Sequence, residues 1–157
     1  MARLVPMTET EFQTYYESSM QEYAQDHVKA GTWVTSEALQ NAEKQYRQLL
    51  PDGLASKNQY LFSIEDAETG AKVGILWFAV DDGRAEPSAY IYDIRIREEF
   101  RGKGYGTQAM RALEEKVKEF GVMRIALHVF GHNHAARALY EKVGYEIMGI
   151  GMSKRIG

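Results

Sequence analysis

Apolar residues recur along the chain at two spacings, one typical of helices and the other of strands. Intervals of three and four residues predict helices, at 8–29, 35–49, 107–120 and 133–143. Runs rich in β-branched and aromatic residues predict strands, at 3–7, 59–64, 72–80, 89–96, 124–130 and, as a final strand or pair, 145–154. The predicted order βααβββαβαβ indicates an α+β domain built around one sheet.

Residues at the predicted element ends support these boundaries. Thr8 and Glu11 stand three positions apart, as a capping box requires at the start of a helix. Asn133 is a preferred N-cap residue for the last helix, and Gly121 can take the left-handed position that ends the third. Polar residues at 81–87 predict the loop between the two longest strands.

Composition narrows the class of protein. The chain has 157 residues, 45% hydrophobic and 26% charged, which fits a single globular domain over 1–157. We expect a cytoplasmic protein without a membrane span, because no apolar run approaches the roughly 18 residues that a spanning helix needs. The chain has no cysteine, which excludes disulfides and thiolate ligands, and its net charge of -3 argues against nucleic acid as a partner.

A glycine-rich loop, 101–107, stands between a predicted strand and a predicted helix. Glycines let backbone N–H groups approach a phosphate closely, and a helix N-terminus adds partial positive charge at the same place. Arg101 and Lys103 can supply full charges. Glycines in such a turn can also serve backbone geometry alone. The spacing of Gly102, Gly104 and Gly106 matches neither a Walker loop nor a dinucleotide-binding fingerprint.

Two segments carry a family resemblance. Arg101-x-x-Gly104-x-Gly106, preceded by Ile94-Arg95-Ile96 and Glu99-Phe100, resembles the acetyl-coenzyme A motif of the GNAT N-acetyltransferases. Asn133-x-Ala135-Ala136-Arg137-Ala138-Leu139-Tyr140 through Gly144-Tyr145 is similar to that family's closing segment, with Tyr145 in place of the commoner phenylalanine. The resemblance is strong over 89–145 and weaker over the hairpin before it.

The resemblance implies a GNAT-like acyl-CoA N-acyltransferase fold, a mostly antiparallel twisted sheet flanked by about four helices. It also implies acetyl-CoA as the acyl donor, without a metal, with loop amides on the pyrophosphate and strand backbone on the pantetheine arm. The cofactor-binding residues expected on this basis are Ile94, Arg95, Ile96, Arg101, Gly102, Lys103, Gly104, Tyr105, Gly106, Thr107, Asn133 and Arg137. His132 and His134 are too weak a pattern to predict a metal site.

Acetyl transfer to an amine needs an acid for the departing thiolate and a base for the amine. Tyr140 stands where the family places its tyrosine acid. His128 is the candidate base, because an imidazole is largely neutral near pH 7 and can accept a proton. Some relatives carry an acidic residue near Tyr92 or Asp93, so these are alternatives; strand alternation predicts that they face opposite sides of the sheet. An ion pair of Asp93 with Arg95 or Arg124 is the structural alternative.

The two N-terminal helices are expected to line the acceptor site, as they do in relatives. They carry aromatic and acidic residues that suit a cationic amine, although Tyr16 and Tyr23 also fall on an apolar stripe that predicts core packing. We expect the acceptor to be a small primary amine or a peptide or protein N-terminus. The alternative is a non-catalytic acyl-CoA-binding module of the same fold. Exposed final strands could support a homodimer.

Overall fold

Five strands form one sheet in a computed structural model that describes residues 1–83 and 85–157. The strands are β1 (Ala2–Pro6), β2 (Gln59–Asp66), β3 (Lys72–Asp81), β4 (Ser88–Ile96) and β5 (Arg124–Leu127). The helices are α1 (Glu9–Lys29), α2 (Thr35–Leu49), α3 (Tyr105–Lys118) and α4 (His134–Lys142), with 3-10 turns at Gly53–Ala55 and Glu98–Phe100. Four helices on a five-stranded sheet confirm the predicted α+β class. The predicted loop 81–87 includes Arg84, which lies outside the described residues.

The sheet follows chain order, and its strand pairs are antiparallel except for the parallel pair β4–β5. One face is covered by α3, whose Met110 and Leu113 have no exposed surface and pack with Leu76 and Phe78 of β3. The other face is covered by α1 and α2, which pack around Trp77. Strand β3 lies between the two hydrophobic cores. Its neighbour β4 leads from this part of the sheet to the functional site.

The helix ends follow local capping chemistry. Thr8 Oγ1 accepts from the Glu11 N–H while the Glu11 carboxylate accepts from the Thr8 N–H, which confirms the capping box. Asn133 Oδ1 accepts from Ala136 N, as predicted for α4. The third helix begins at Tyr105, two residues before the predicted start, because Gly104 takes the N-cap position with a φ of 87°. Across the described residues, no helix is both long and apolar enough to cross a bilayer.

Two strand predictions at the C-terminal end were wrong. The fifth strand ends at Leu127 rather than at residue 130, and no strand forms after α4 within the part of the chain that the structure describes. Instead Met148, Ile150 and Met152 have 77%, 70% and 91% of their surface exposed. Strand β5 has only four residues, so it offers little edge with which a further strand could pair. The alternating apolar residues of 145–154 therefore do not form a strand.

A β-bulge in β4 changes the predicted side-chain directions. Trp77 of β3 pairs with Asp93, but the next residue, Phe78, pairs with Ile91, so Tyr92 is an extra residue in β4. The Tyr92 ring stacks on Trp77 with centroids 4.7 Å apart, and Asp93 meets α1 on that same face. The prediction that Tyr92 and Asp93 face opposite sides of the sheet was therefore wrong, because the bulge resets the alternation.

Candidate active site

A large cleft opens where β4 and β5 separate. The two strands pair in parallel only from Ser88 and Arg124 to Ile91 and Leu127, while β4 continues to Ile96. A bulge bends a strand and increases its twist, and this one lies immediately after the last pair, so it directs the end of β4 away from β5. The cleft has a volume of about 1320 Å³ and is walled by β4, α1, α2, the glycine-rich loop and α4.

The edge of β4 provides backbone groups for a ligand. Ile94 and Ile96 pair with Leu76 and Gly74 of β3 on one side, and on the other side β5 has already ended. Backbone N–H and C=O groups need partners when water is excluded. This part of β4 can therefore bind an extended amide-containing chain such as pantetheine, as the resemblance implies for residues 94–96.

The glycine-rich loop presents uncapped helix amides to the cleft. Gly102 and Gly104 have φ values of 75° and 87°, a backbone region that other residues rarely adopt. Of the described side chains, none caps the N-terminus of α3, so its first N–H groups remain free to bind an anion. Gly106 is needed for packing, because an added Cβ would lie 3.1 Å from Leu139 of α4. Loop and helix start together form a phosphate-sized cradle.

The side chains around this cradle divide between the cleft wall and its outside. Tyr105 turns its hydroxyl to Asp66 and leaves its backbone at the cleft. The Arg101 Nε donates to Ile96 O at 2.9 Å, which fixes the arginine beside the end of β4. Asn133 lies on the cleft wall and caps α4. The other predicted residues on the wall are Ile94, Arg95, Ile96, Gly102, Gly104, Gly106 and Thr107.

Lys103 and Arg137 lie away from the described cleft wall. The Lys103 Nζ is 5.9 Å from the centroid of the Phe100 ring, and Arg137 donates to Glu141 at 2.9 Å on the exposed side of α4. Lys142, which the sequence did not single out, does line the cleft. Arg137 follows Asn133 by about one helical turn, but side chains one turn apart point in only approximately the same direction. Helix packing therefore determines that Lys142, rather than Arg137, lines the cleft.

Tyr140 lies on the α4 wall of the cleft with only 8% of its surface exposed. Burial raises the pKa of Tyr140 to about 12, and the negative charge of Asp93 adds to the shift. The phenol therefore stays protonated at neutral pH and can donate a hydrogen bond or a proton to sulfur. Tyr140 lines the same cleft as the free edge of β4, and its role as the acid stays a prediction.

Asp93 is a buried carboxyl group that faces α1. Its side chain is 16% exposed, and Oδ2 accepts from the Tyr15 hydroxyl at 2.7 Å and from Ser19 Oγ at 3.5 Å. Burial raises the pKa of Asp93 to about 6, although both hydrogen bonds oppose the rise. A carboxyl group that titrates near neutral pH can take up a proton during turnover.

The predicted ion pair of Asp93 with Arg95 is also present. The nearest atoms, Arg95 Nη2 and Asp93 Oδ1, are 3.6 Å apart, and Arg95 pairs in addition with Glu22 of α1. Arg95 therefore directs its side chain toward α1, while its backbone lies at the edge of β4 expected to meet the cofactor. The ion pair between Asp93 and Arg95 is compatible with a role of Asp93 in proton transfer, because Glu22 balances the positive charge of Arg95.

His128 lies just beyond the end of β5 and lines the cleft. Its ring makes an edge-to-face contact with Phe130, with centroids 5.2 Å apart. Because β5 ends at Leu127, the strand alternation that the prediction used does not extend to His128. The histidine is an exposed residue of the β5–α4 loop, whereas the Asp93 side chain is only 16% exposed.

Aromatic rings of α1, β4 and the β5–α4 loop also line the cleft. Tyr90 and Tyr92 of β4 lie with centroids 4.9 Å apart, and Tyr23 of α1 packs on Phe130 at 6.4 Å. Tyr23 also donates to Gln45 of α2 and lines the cleft, so it is not simply a core residue as its stripe predicted. This wall of the cleft can hold an organic cation or an alkyl chain.

Sequence reasoning missed the hydrogen-bonded group behind Asp93. Ser19 Oγ lies 2.6 Å from the Tyr46 hydroxyl of α2 and also reaches Asp93. Ser19 and Tyr46 are 3% and 5% exposed, and their contact joins residues 27 positions apart in the chain. A serine and two tyrosines on helical stripes carry no local signal of such a contact, so only the packing of α1 on α2 could identify it.

Comparisons with known proteins agree with this geometry. The family model described as "Acetyltransferase (GNAT) family" matches residues 8–145. Two Bacillus subtilis N-acetyltransferases, YdgE and YycN, are 38% and 37% identical to the chain over 153 residues, 98% of this chain and 97% of each relative. The YycN crystal structure superposes with a TM-score of 0.94 at 36% identity and covers 99% of both chains. An aminoglycoside 6'-N-acetyltransferase from Acinetobacter baumannii, 17% identical with a TM-score of 0.56 and full coverage of both chains, shares the fold alone. The protein therefore belongs to the GNAT family of acetyltransferases.

Proposed function

We propose that the protein transfers an acetyl group from acetyl-CoA to a primary amine by direct attack in a ternary complex. The observation that carries the proposal is that Tyr140 and Asp93 line the same cleft as the glycine-rich loop and the free edge of β4. A phosphate cradle, a pantetheine edge, an acid and a base are the parts that thioester aminolysis requires. The acceptor class is a small amine or a peptide or protein N-terminus.

The reaction replaces the C–S bond of the thioester with a C–N bond to the amine. The amine nitrogen attacks the thioester carbonyl carbon, the C–N bond forms, and the C–S bond then breaks to release the thiolate. Tyr140 donates its phenolic proton to that sulfur, and the proton lost by the amine passes to the base. Backbone N–H groups near Ile94 and Ile96 are our candidates for polarising the carbonyl oxygen.

Two residues are candidates for the base. His128 is one candidate, because its imidazole ring can accept a proton and the residue lines the cleft. Asp93 is the better candidate, because it contacts Tyr15 and Ser19 of α1 and its pKa is raised to about 6. A base with that pKa is largely deprotonated at neutral pH, and it can accept the proton that the neutral amine loses as the C–N bond forms, directly or through water.

Calorimetric titration with acetyl-CoA, followed by a thiol-release assay with a panel of amines, tests the proposal. Wild-type protein should bind acetyl-CoA saturably, and an Arg101→Ala/Gly104→Ala variant should stay folded and lose binding. Thiol release that depends on one amine supports the transferase. Binding with no transfer to any amine would instead identify a non-catalytic acyl-CoA-binding module.

A further inference from the structure

We infer that the acceptor carries a second cationic group, as a linear diamine or polyamine does, and that Asp26 of α1 binds it. The inference rests on the proposed acetyl transfer and names the substrate class for the same cleft. The attacking amine would lie near Asp93, and the distal ammonium group would reach Asp26, which lines the same cleft.

The distance along α1 sets the length of the acceptor. Ser19 is at the level of Asp93, which it reaches at 3.5 Å, and Asp26 follows seven residues later in the same helix. At about 1.5 Å of rise per residue, the two levels are roughly 10 Å apart along the helix axis. Ser19, Tyr23 and Asp26 recur at intervals of four and three residues, so they share the face of α1 that lines the cleft.

Aromatic rings line the wall that faces this stretch of α1. Tyr90 and Tyr92 keep 37% and 38% of their surface exposed, although both stand on an internal strand of the sheet. Their rings, with Tyr23 across the cleft, give an alkyl chain an apolar surface and give an ammonium group the negative face of a π-system. Half-exposed aromatic side chains inside a cleft mark a surface that a ligand can cover.

The charges on the cleft wall are mixed, and Asp26 is the acid there that pairs with no arginine or lysine among the described residues. The Glu22 carboxylate pairs with Arg95 and so offsets the arginine near Asp93. Asp26 is 32% exposed and contacts His132 Nε2 of the β5–α4 loop at 3.2 Å, a single contact between two partly exposed groups that an ammonium group can replace. Lys29 also lines the cleft, one helical turn beyond Asp26, and Arg101 and Lys142 lie toward the phosphate cradle.

Three amines of equal chain length test the inference: cadaverine, pentylamine and 5-aminovalerate, which end in an ammonium, a methyl and a carboxylate group. We expect kcat/KM to be up to about fivefold higher for cadaverine than for pentylamine, as one partly screened ion pair implies, and lowest for aminovalerate. Asp26→Asn should remove the cadaverine advantage through KM. Because the Asp26 charge also raises the pKa of Asp93, any change in the pH–rate profile should be the same for cadaverine and pentylamine. Glu17→Gln, an exposed acid of α1 outside the described cleft wall, is the matched control and should change neither.

Calorimetry with cadaverine on the CoA-saturated protein separates this inference from the proposed function. Cadaverine binding that Asp26→Asn weakens supports the diamine site, even if no acetyl transfer follows and the proposed catalysis fails. Equal kcat/KM for cadaverine and pentylamine, or an Asp26→Asn variant that loses both amines equally, overturns the diamine site while acetyl transfer stands.

Discussion

The two walls of the cleft are built from different atoms. The proposed cofactor wall relies on the backbone: positive-φ glycines at Gly102 and Gly104, free amides at the start of α3 and the open edge of β4. The proposed acceptor wall relies on side chains that α1, β4 and the β5–α4 loop bring together, with Asp93 held by Tyr15 and Ser19. A backbone site tolerates many side chains around it, whereas a side-chain site changes with each substitution, so the second wall is where selectivity for the amine should lie.

The largest effect is expected from Tyr140→Phe, which tests the proposed acid on the α4 side of the cleft. Losing the phenolic proton donor should lower kcat about 10²-fold, the scale of general acid catalysis, while calorimetric affinity for acetyl-CoA stays unchanged. Thermal unfolding controls for the fold, since the buried ring is retained. An unchanged kcat at neutral pH would remove Tyr140 from the mechanism.

The acceptor wall is tested by Asp93→Asn beside His128→Asn. If Asp93 is the base, the wild-type rate rises as pH increases through about 6, because the carboxyl group must lose its proton to act. Asp93→Asn should abolish this limb and lower the rate about 10²-fold, and His128→Asn should keep the limb. The reverse pattern would assign the base to His128.

The raised pKa of Asp93 also predicts how Asp93→Asn changes the stability of the protein. The folded state keeps a proton on Asp93 up to about pH 6, whereas the unfolded chain releases it near the ordinary carboxyl value of about 4. Between those values the folded state binds more protons, so the contribution of Asp93 to the free energy of unfolding falls as pH rises. The variant should therefore unfold at a temperature at least as high as wild type at neutral pH, with the difference vanishing below about pH 4. A large loss of stability at neutral pH would contradict this.

Gly104→Ala tests whether the backbone builds the phosphate cradle. An alanine Cβ at a φ of 87° is strained and should reshape the loop, raising the Kd for acetyl-CoA about tenfold, or about 1.4 kcal/mol. Gly121→Ala is the matched control, since Gly121 has a φ of 76° and open space around an added Cβ after α3. Both variants should lose similar stability. If both also lost the same affinity, the effect would be strain rather than phosphate binding.

The smallest expected effect comes from Tyr15→Phe. The Tyr15 hydroxyl stabilises the Asp93 carboxylate and lowers its pKa, so its removal should move the acid limb of the pH–rate profile to higher pH with little change in the plateau. Tyr16→Phe on the same helix, whose ring packs on Phe12 and Tyr46, should leave the limb in place. A limb that does not move in Tyr15→Phe would separate this hydrogen bond from catalysis.

The sequence predicted most of the fold because its signals are local. Periodicity and caps located four helices and five strands, and the glycine-rich loop and the closing segment indicated the family. These features depend on neighbours a few residues apart, so one window of sequence contains them. The final strand was predicted by the same local reasoning and was wrong, since pairing needs a partner edge and β5 ends too soon.

Tertiary structure alone decided the acceptor wall. The bulge at Tyr92 turned Asp93 toward α1, and Asp93 then met Tyr15 and Ser19 across more than 70 positions of sequence. Burial there, with a smaller contribution from the charge of Asp26, raises the pKa of Asp93 to about 6. The sequence by itself determined where acetyl-CoA is expected, because the positions of glycines and helix starts indicate the backbone geometry of that site. Packing determined which carboxylate faces the amine, because a change of one residue in strand register reverses every side chain after it.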